Sequence, residues 1–251
     1  MGPSELAAFA ALGLTAGLLI GCVGIGGVIL VPALVYLADV PVHAAIAAAM
    51  CAFLLSGVVG TYVFARAKSI RWSMTAWMWA GAMPAAFAGA LFASAAAPGL
   101  IELGIGALTA ASGVYALAGN MGAEPSEGRV LSGAALASIG TVTGFTSAMT
   151  GTGGPLVLVP ILVWLEIPVL AAIGLAQAIQ LPIAIAATGG NLLAGTLDVM
   201  LGLVLGVGIV AGTWAGAKAA HSLPRGVLRR FVSVLLVLVG GGILIRLVVT
   251  T

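Results

Sequence analysis

An all-α polytopic membrane protein made of two inverted-topology repeats is the fold this sequence predicts, and three observations carry that prediction. Of the 251 residues, 62% are hydrophobic and only 6% are charged, whereas a soluble domain carries about 25% charged residues. The tetrad Gly24-Ile25-Gly26-Gly27 recurs 127 positions later as Gly151-Thr152-Gly153-Gly154, each copy cutting a long apolar run in two. Basic residues that crowd one loop of the first half are missing from the matching loop of the second, and the reverse holds elsewhere.

Each repeat reads as a glycine-hinged pair of half-helices followed by three membrane helices. In the first, residues 1–118, apolar segments run over 6–22, 28–38, 42–64, 74–94 and 100–118. Residues 119–129 are polar and form the linker. In the second, residues 130–251, the segments are 130–149, 155–165, 169–193, 199–219 and 228–249. The second segment of each half has about 11 residues against the roughly 20 needed to span a bilayer, so it reads as half of a re-entrant or broken helix. The first segment has no basic region before it and no clear cleavage site, so it is read as retained.

The halves align without a gap. Pro41-Val42 falls on Pro168-Val169, Ala44-Ala45-Ile46 on Ala171-Ala172-Ile173, and Thr61 on Thr188. Gly13, Gly17, Gly81, Gly89 and Gly113 fall on Gly140, Gly144, Gly208, Gly216 and Gly240. Ala and Gly matches are common in such a composition; the paired Pro-Val and GxGG matches are not. The pattern predicts an internal duplication.

Charge sets the orientation. Arg66, Lys68 and Arg71 fall on Leu193, Gly195 and Asp198, whereas Glu102 falls on Arg229 in a basic loop. Positive loops stay cytoplasmic, so the repeats are expected to be inverted, with both termini outside. Arg246 is then the one basic residue on the outer side. Whether each hairpin returns or crosses twice is left open by charge.

The residues resemble the sulfite exporter TauE/SafE family of bacterial membrane transporters. The match lies in a small-residue helix, then GxGG, then an apolar stretch with Pro, at Gly24 to Pro32 and Gly151 to Pro160. A Pro turn follows in each half, Asp39-Val40-Pro41 and Glu166-Ile167-Pro168, then an Ala-rich helix. After the first of these helices comes an Arg-x-Lys-x-Ile-x-Trp turn, Arg66 to Trp72. The resemblance covers nearly the whole chain. It implies export of sulfite, organosulfonates or other sulfur-containing or small organic anions across the bacterial cytoplasmic (inner) membrane. Many relatives carry Ser or Thr in the helix after each hinge, where this sequence has Met50 and Gln177.

Hinges of this kind, at matching places in two halves, point to a transport site near the membrane midplane. A helix that starts at a glycine hinge aims its dipole and free N–H groups at that hinge, which suits an anion. One helix end contributes at most about 2 kcal/mol, while an unpaired midplane charge costs at least about 2.5–3.5 kcal/mol. Two converging ends are needed, helped by charge-assisted hydrogen bonds of roughly 1.5–3 kcal/mol each. The substrate-binding candidates are therefore Gly24, Gly26, Gly27, Gly151, Gly153 and Gly154, with Thr150 and Thr152 flanking the second turn. Gln177 and Gln180, one helical turn apart, either line a water-filled cavity or bond to a neighbouring helix. Ser and Thr in membrane helices often bond to their own backbone, and glycines also permit close helix contacts. The latter use suits Gly13, Gly17 and Gly21, and Gly208, Gly212 and Gly216.

Asp39 and Glu166 occupy equivalent segment ends and read as interfacial turn residues. Asn191 reads as a cap or interfacial contact, and Cys22 as a small apolar residue. His43 and His221 lack metal-ligand spacing, so no metal or cofactor is expected. An intramembrane enzyme would need a nucleophile and base at depth, and there is no GxSG, HExxH or buried aspartate pair. The expected partners are a small anion and the lipid bilayer, not nucleic acid. A homodimer through a glycine-spaced face is a further possibility. A channel-like anion pathway and a non-transporting assembly subunit are the competing readings.

Overall fold

The computed structural model describes residues 2–23, 27–66, 68, 70–118, 131–165, 167, 169–220, 234, 237–238 and 240–246. Nine helices are named here: α1 (Pro3–Val23), α2 (Gly27–Leu37), α3 (Val42–Arg66), α4 (Trp72–Ala95), α5 (Pro98–Ala118), α6 (Gly133–Thr150), α7 (Gly154–Trp164), α8 (Val169–Leu193) and α9 (Val199–Ala220). Residues 240–246 are also helical. A chain in hydrocarbon has to satisfy its backbone internally, and helices do so within one segment. Among the described residues, Val42–Arg66, Trp72–Ala95 and Val199–Gly216 are long and apolar enough to cross a membrane. The linker 119–129, Glu166, His221 and most of the last predicted segment lie outside the described residues.

The helix limits recur at the offset read from the sequence: α2 and α7 start at Gly27 and Gly154, α3 and α8 run over Val42–Arg66 and Val169–Leu193, and α4 and α9 start at Trp72 and Val199. Packing recurs too. The two tightest pairings are α1 with α9 and α4 with α6, and α3 meets α9 as α8 meets α4. Glycine makes both tight pairings possible. Gly13 and Gly17 lie against the backbone of Leu205 and Ile209, while Gly208 and Gly212 lie against Ala10 and Leu14. Gly81 and Gly89 meet Ala137 and Phe145 in the same way, and Gly140 and Gly144 meet Met78 and Ala82. Numbers rise together in both pairs, so α1 runs parallel to α9 and α4 parallel to α6.

The equivalent helices α3 and α8 run antiparallel instead, because Gly57 lies against Leu181 and Gly60 against Gln177. Helix α5 is antiparallel to the last helical stretch, with Gly106 on Ile243 and Gly240 on Ala110. The glycine faces named above as possible dimer contacts are thus occupied within the chain, and they give a homodimer no support.

One turn matches its sequence reading. Asp39 is exposed at φ 52° between α2 and α3, a left-handed conformation that Asp tolerates better than most residues. Asn191, 2% exposed, lies in the last turn of α8; its backbone carbonyl accepts from the Thr196 N–H at 3.1 Å, while its side-chain Nδ2 is buried without a hydrogen-bond partner. Between α2, α5 and the last stretch, the Tyr36 hydroxyl donates to Glu102 Oε2 at 2.9 Å, and the Arg246 guanidinium stands 4.4 Å above the Tyr36 ring.

Candidate functional site

The core of the candidate site is the second hinge. Helix α6 ends because Gly151 turns left-handed at φ 68°, its N–H bonding back to the Ser147 carbonyl. Gly153 is left-handed as well, at φ 80°, a conformation that only glycine adopts without strain. The Ser147 hydroxyl donates to the Gly153 carbonyl at 3.0 Å and fixes the turn. Thr150 gives its one proton to the Thr146 carbonyl at 2.7 Å. The 2.8 Å contact between the two threonine hydroxyls is therefore donated by Thr152. Both threonines spend their donors inside the hinge in this conformation.

Residues Gly24 and Gly26 lie outside the described residues, and so does the Cys22 side chain. Gly27 is described and decisive: its bare Cα abuts the carbonyl of Thr152, so that any Cβ there would collide with it. Gly151 in turn lies against Val31 of α2 and Ile46 of α3. Val28 and Leu156, in the first turns of α2 and α7, pack together at 0% and 1% exposure. The starts of the two short helices thus meet in the interior. Their free donors differ, since Pro155 removes one N–H from the first turn of α7.

The two amides lie between helices. Gln180 donates from Nε2 to the Ser56 hydroxyl of α3 at 2.9 Å. Gln177 donates from Nε2 to the carbonyl of Ile20 at 3.5 Å, near the end of α1 where carbonyls lack helical donors. Gln177 Oε1 is buried with no hydrogen-bond partner and rests against Gly60. Of the two alternatives the sequence left, bonding to neighbouring helices is the one seen. Gly154 stands against Ala176, Ile179 and Ile183, so the middle of α8 backs the start of α7.

Two residues at the site carried no signal when read alone. Ser56 is one serine in an apolar helix, and its role follows from the Gln180 contact across 124 positions. Phe53, 1% exposed, faces the bare Cα of both Gly27 and Gly153. The repeat offered one clue, because Phe53 falls on Gln180 and Met50 on Gln177.

The family model described as sulfite exporter TauE/SafE matches residues 9–243, which takes in every residue of the site. The chain belongs to the sulfite exporter TauE/SafE family. Neither the curated proteins nor the solved structures gave a match. As a TauE/SafE member the chain is a multi-pass membrane transporter of the sulfite exporter type, and not an enzyme. Its substrate is accordingly a small anion and its solvent is lipid. TauE/SafE membership also accounts for the outward-facing Trp72, Trp77, Val207 and Trp214, each about half exposed or more, which a bilayer accepts and water would not.

Proposed function

We propose that this chain is a carrier that exports sulfite, a sulfonate or a related sulfur-containing or organic anion across the bacterial cytoplasmic membrane, through a midplane site built where its two GxGG hinges meet. The observation that carries the reading is the contact of Gly27 with Thr152 beside the Val28–Leu156 pair. Two helix starts converge there, and two are what the charge of an anion requires. Each end contributes up to about 2 kcal/mol. Gln177 and Gln180 add neutral donors that can turn from their present partners toward an anion. Without a fixed cation at depth, binding is modest, which suits release on the far side.

The antiparallel course of the equivalent helices α3 and α8 supports inverted repeats over residues 1–118 and 130–251. A two-fold axis that relates antiparallel membrane helices lies in the membrane plane. The parallel pairs α1–α9 and α4–α6 fit the same arrangement, and the meeting of the hinges favours hairpins that enter and return. Residues 151–159 are all buried, which supports an occluded carrier rather than an open channel.

Replacing Gly26 or Gly153 by Leu tests the site. Counterflow of sulfite and of methanesulfonate is measured in proteoliposomes, with folded fraction checked by size exclusion. Either replacement is expected to abolish counterflow and binding while membrane insertion persists. Folded variants that bind and exchange the anion normally would overturn the hinge site.

A further inference from the structure

Phe53 occupies the point at which the hinges come closest. With Gly27 given a Cβ, that atom would stand 2.8 Å from Phe53 Cζ. A Cβ on Gly153 would stand 3.5 Å from Phe53 Cε2. The ring therefore takes the space that a side chain at Gly27 would need and lies within ordinary contact range of a side chain at Gly153. One turn back on α3 it leans on Ala49 and Met50, both fully buried, so the bulk at this level comes from the ring and Met50. Its own carbonyl accepts from Ser56 at 3.3 Å, and Ser56 holds Gln180. One wall of the site is thus apolar, Met50 and Phe53, while the positions equivalent to them in the other half are the amides Gln177 and Gln180.

We infer that Phe53 is the plug of the transport site: its ring closes the hinge against anions in the occluded state, swings aside to admit one, and sets how large an anion is accepted. The inference rests on the hinge-built site proposed above. The ring has to leave because it offers an anion no hydrogen-bond donor and takes the space beside Gly27. Long helical side chains occupy one of two χ1 positions, and a change from one to the other carries the Phe53 ring past Ala49 and Met50 on α3.

The test places a reporter cysteine at Thr152 in a Cys22→Ala, Cys51→Ala background and labels it in proteoliposomes with a sulfonate-bearing methanethiosulfonate reagent. Phe53, Phe53→Leu and Phe53→Ala forms are compared, with and without excess methanesulfonate. Labelling scales with the open fraction, so it is expected to rise about tenfold in Phe53→Ala and less in Phe53→Leu. Counterflow of bulkier alkylsulfonates should rise in the same order. Where Phe53→Ala fails size exclusion, Phe53→Leu carries the comparison. Labelling rates and size selectivity that ignore position 53 in folded protein would overturn the plug, even if methanesulfonate still protects the cysteine. Faster labelling on truncation without any protection by methanesulfonate would overturn the hinge site on which the plug depends.

Discussion

Trp79 donates its indole N–H to the carbonyl oxygen of Ala178 at 3.2 Å, the acceptor that Pro182 leaves without a donor inside α8. Proline at position i has no N–H for the carbonyl at i−4, and in hydrocarbon such an orphan needs a partner from a neighbouring helix. Here α4 supplies it. The equivalent place in the other half has neither feature: Leu55 stands for Pro182 and Gly206 for Trp79. The proline and the tryptophan form one device.

Trp79→Phe keeps an aromatic side chain and loses the donor, so it is expected to destabilise the protein by about 1–3 kcal/mol. Pro182→Ala restores the helical donor. In that background the same Trp79 replacement should cost clearly less, and a double-mutant cycle of thermal unfolding in detergent reads the difference. Equal costs in both backgrounds would mean that Trp79 acts by packing alone.

Two adjacent glycines in α8 should respond in opposite senses. A Cβ on Gly189 meets nothing within 4 Å, whereas one on Gly190 would stand 2.9 Å from the Ala90 Cβ and 3.1 Å from the Phe87 carbonyl oxygen. Gly189→Ala should stabilise by about 0.5–1 kcal/mol through helix propensity. Gly190→Ala should destabilise by about 1–3 kcal/mol through overpacking. Melting temperatures of the two variants side by side are sufficient.

Ser56→Ala removes the acceptor that holds the Gln180 amide. The buried Nε2 is then unpaired, at a cost of about 1–3 kcal/mol in stability. Because the freed amide lies beside Gly153, affinity for methanesulfonate should change as well, which isothermal titration in nanodiscs measures. A loss of stability with affinity untouched would confine Ser56 to packing.

Orientation is testable at Lys68 and Gly195, which are both exposed in loops. With Cys22 and Cys51 replaced, a cysteine at Gly195 should react with an impermeant maleimide in intact cells, and one at Lys68 only after permeabilisation. Reaction of both from one side would exclude inverted repeats.

The sequence alone determined the membrane class and, among the described residues, the helix limits within a few residues and the break at Gly151 to Gly153. These are local properties: hydropathy fixes which segments leave water, and glycine and proline fix where helices stop. It also marked Gly13, Gly17, Gly208 and Gly212 as packing glycines by their spacing, although not that α1 and α9 use them on each other. Only the tertiary structure decided what meets what. That Thr152 abuts Gly27 and that Ser56 satisfies Gln180 depend on contacts more than 120 positions apart, and Phe53 on α3 reaches Gly153 across 100 positions. In a chain so rich in Ala, Leu and Gly, most helix faces are alike in hydropathy. Which faces close on each other is set by shape, where one missing Cβ admits a carbonyl or a ring, and composition carries no record of that.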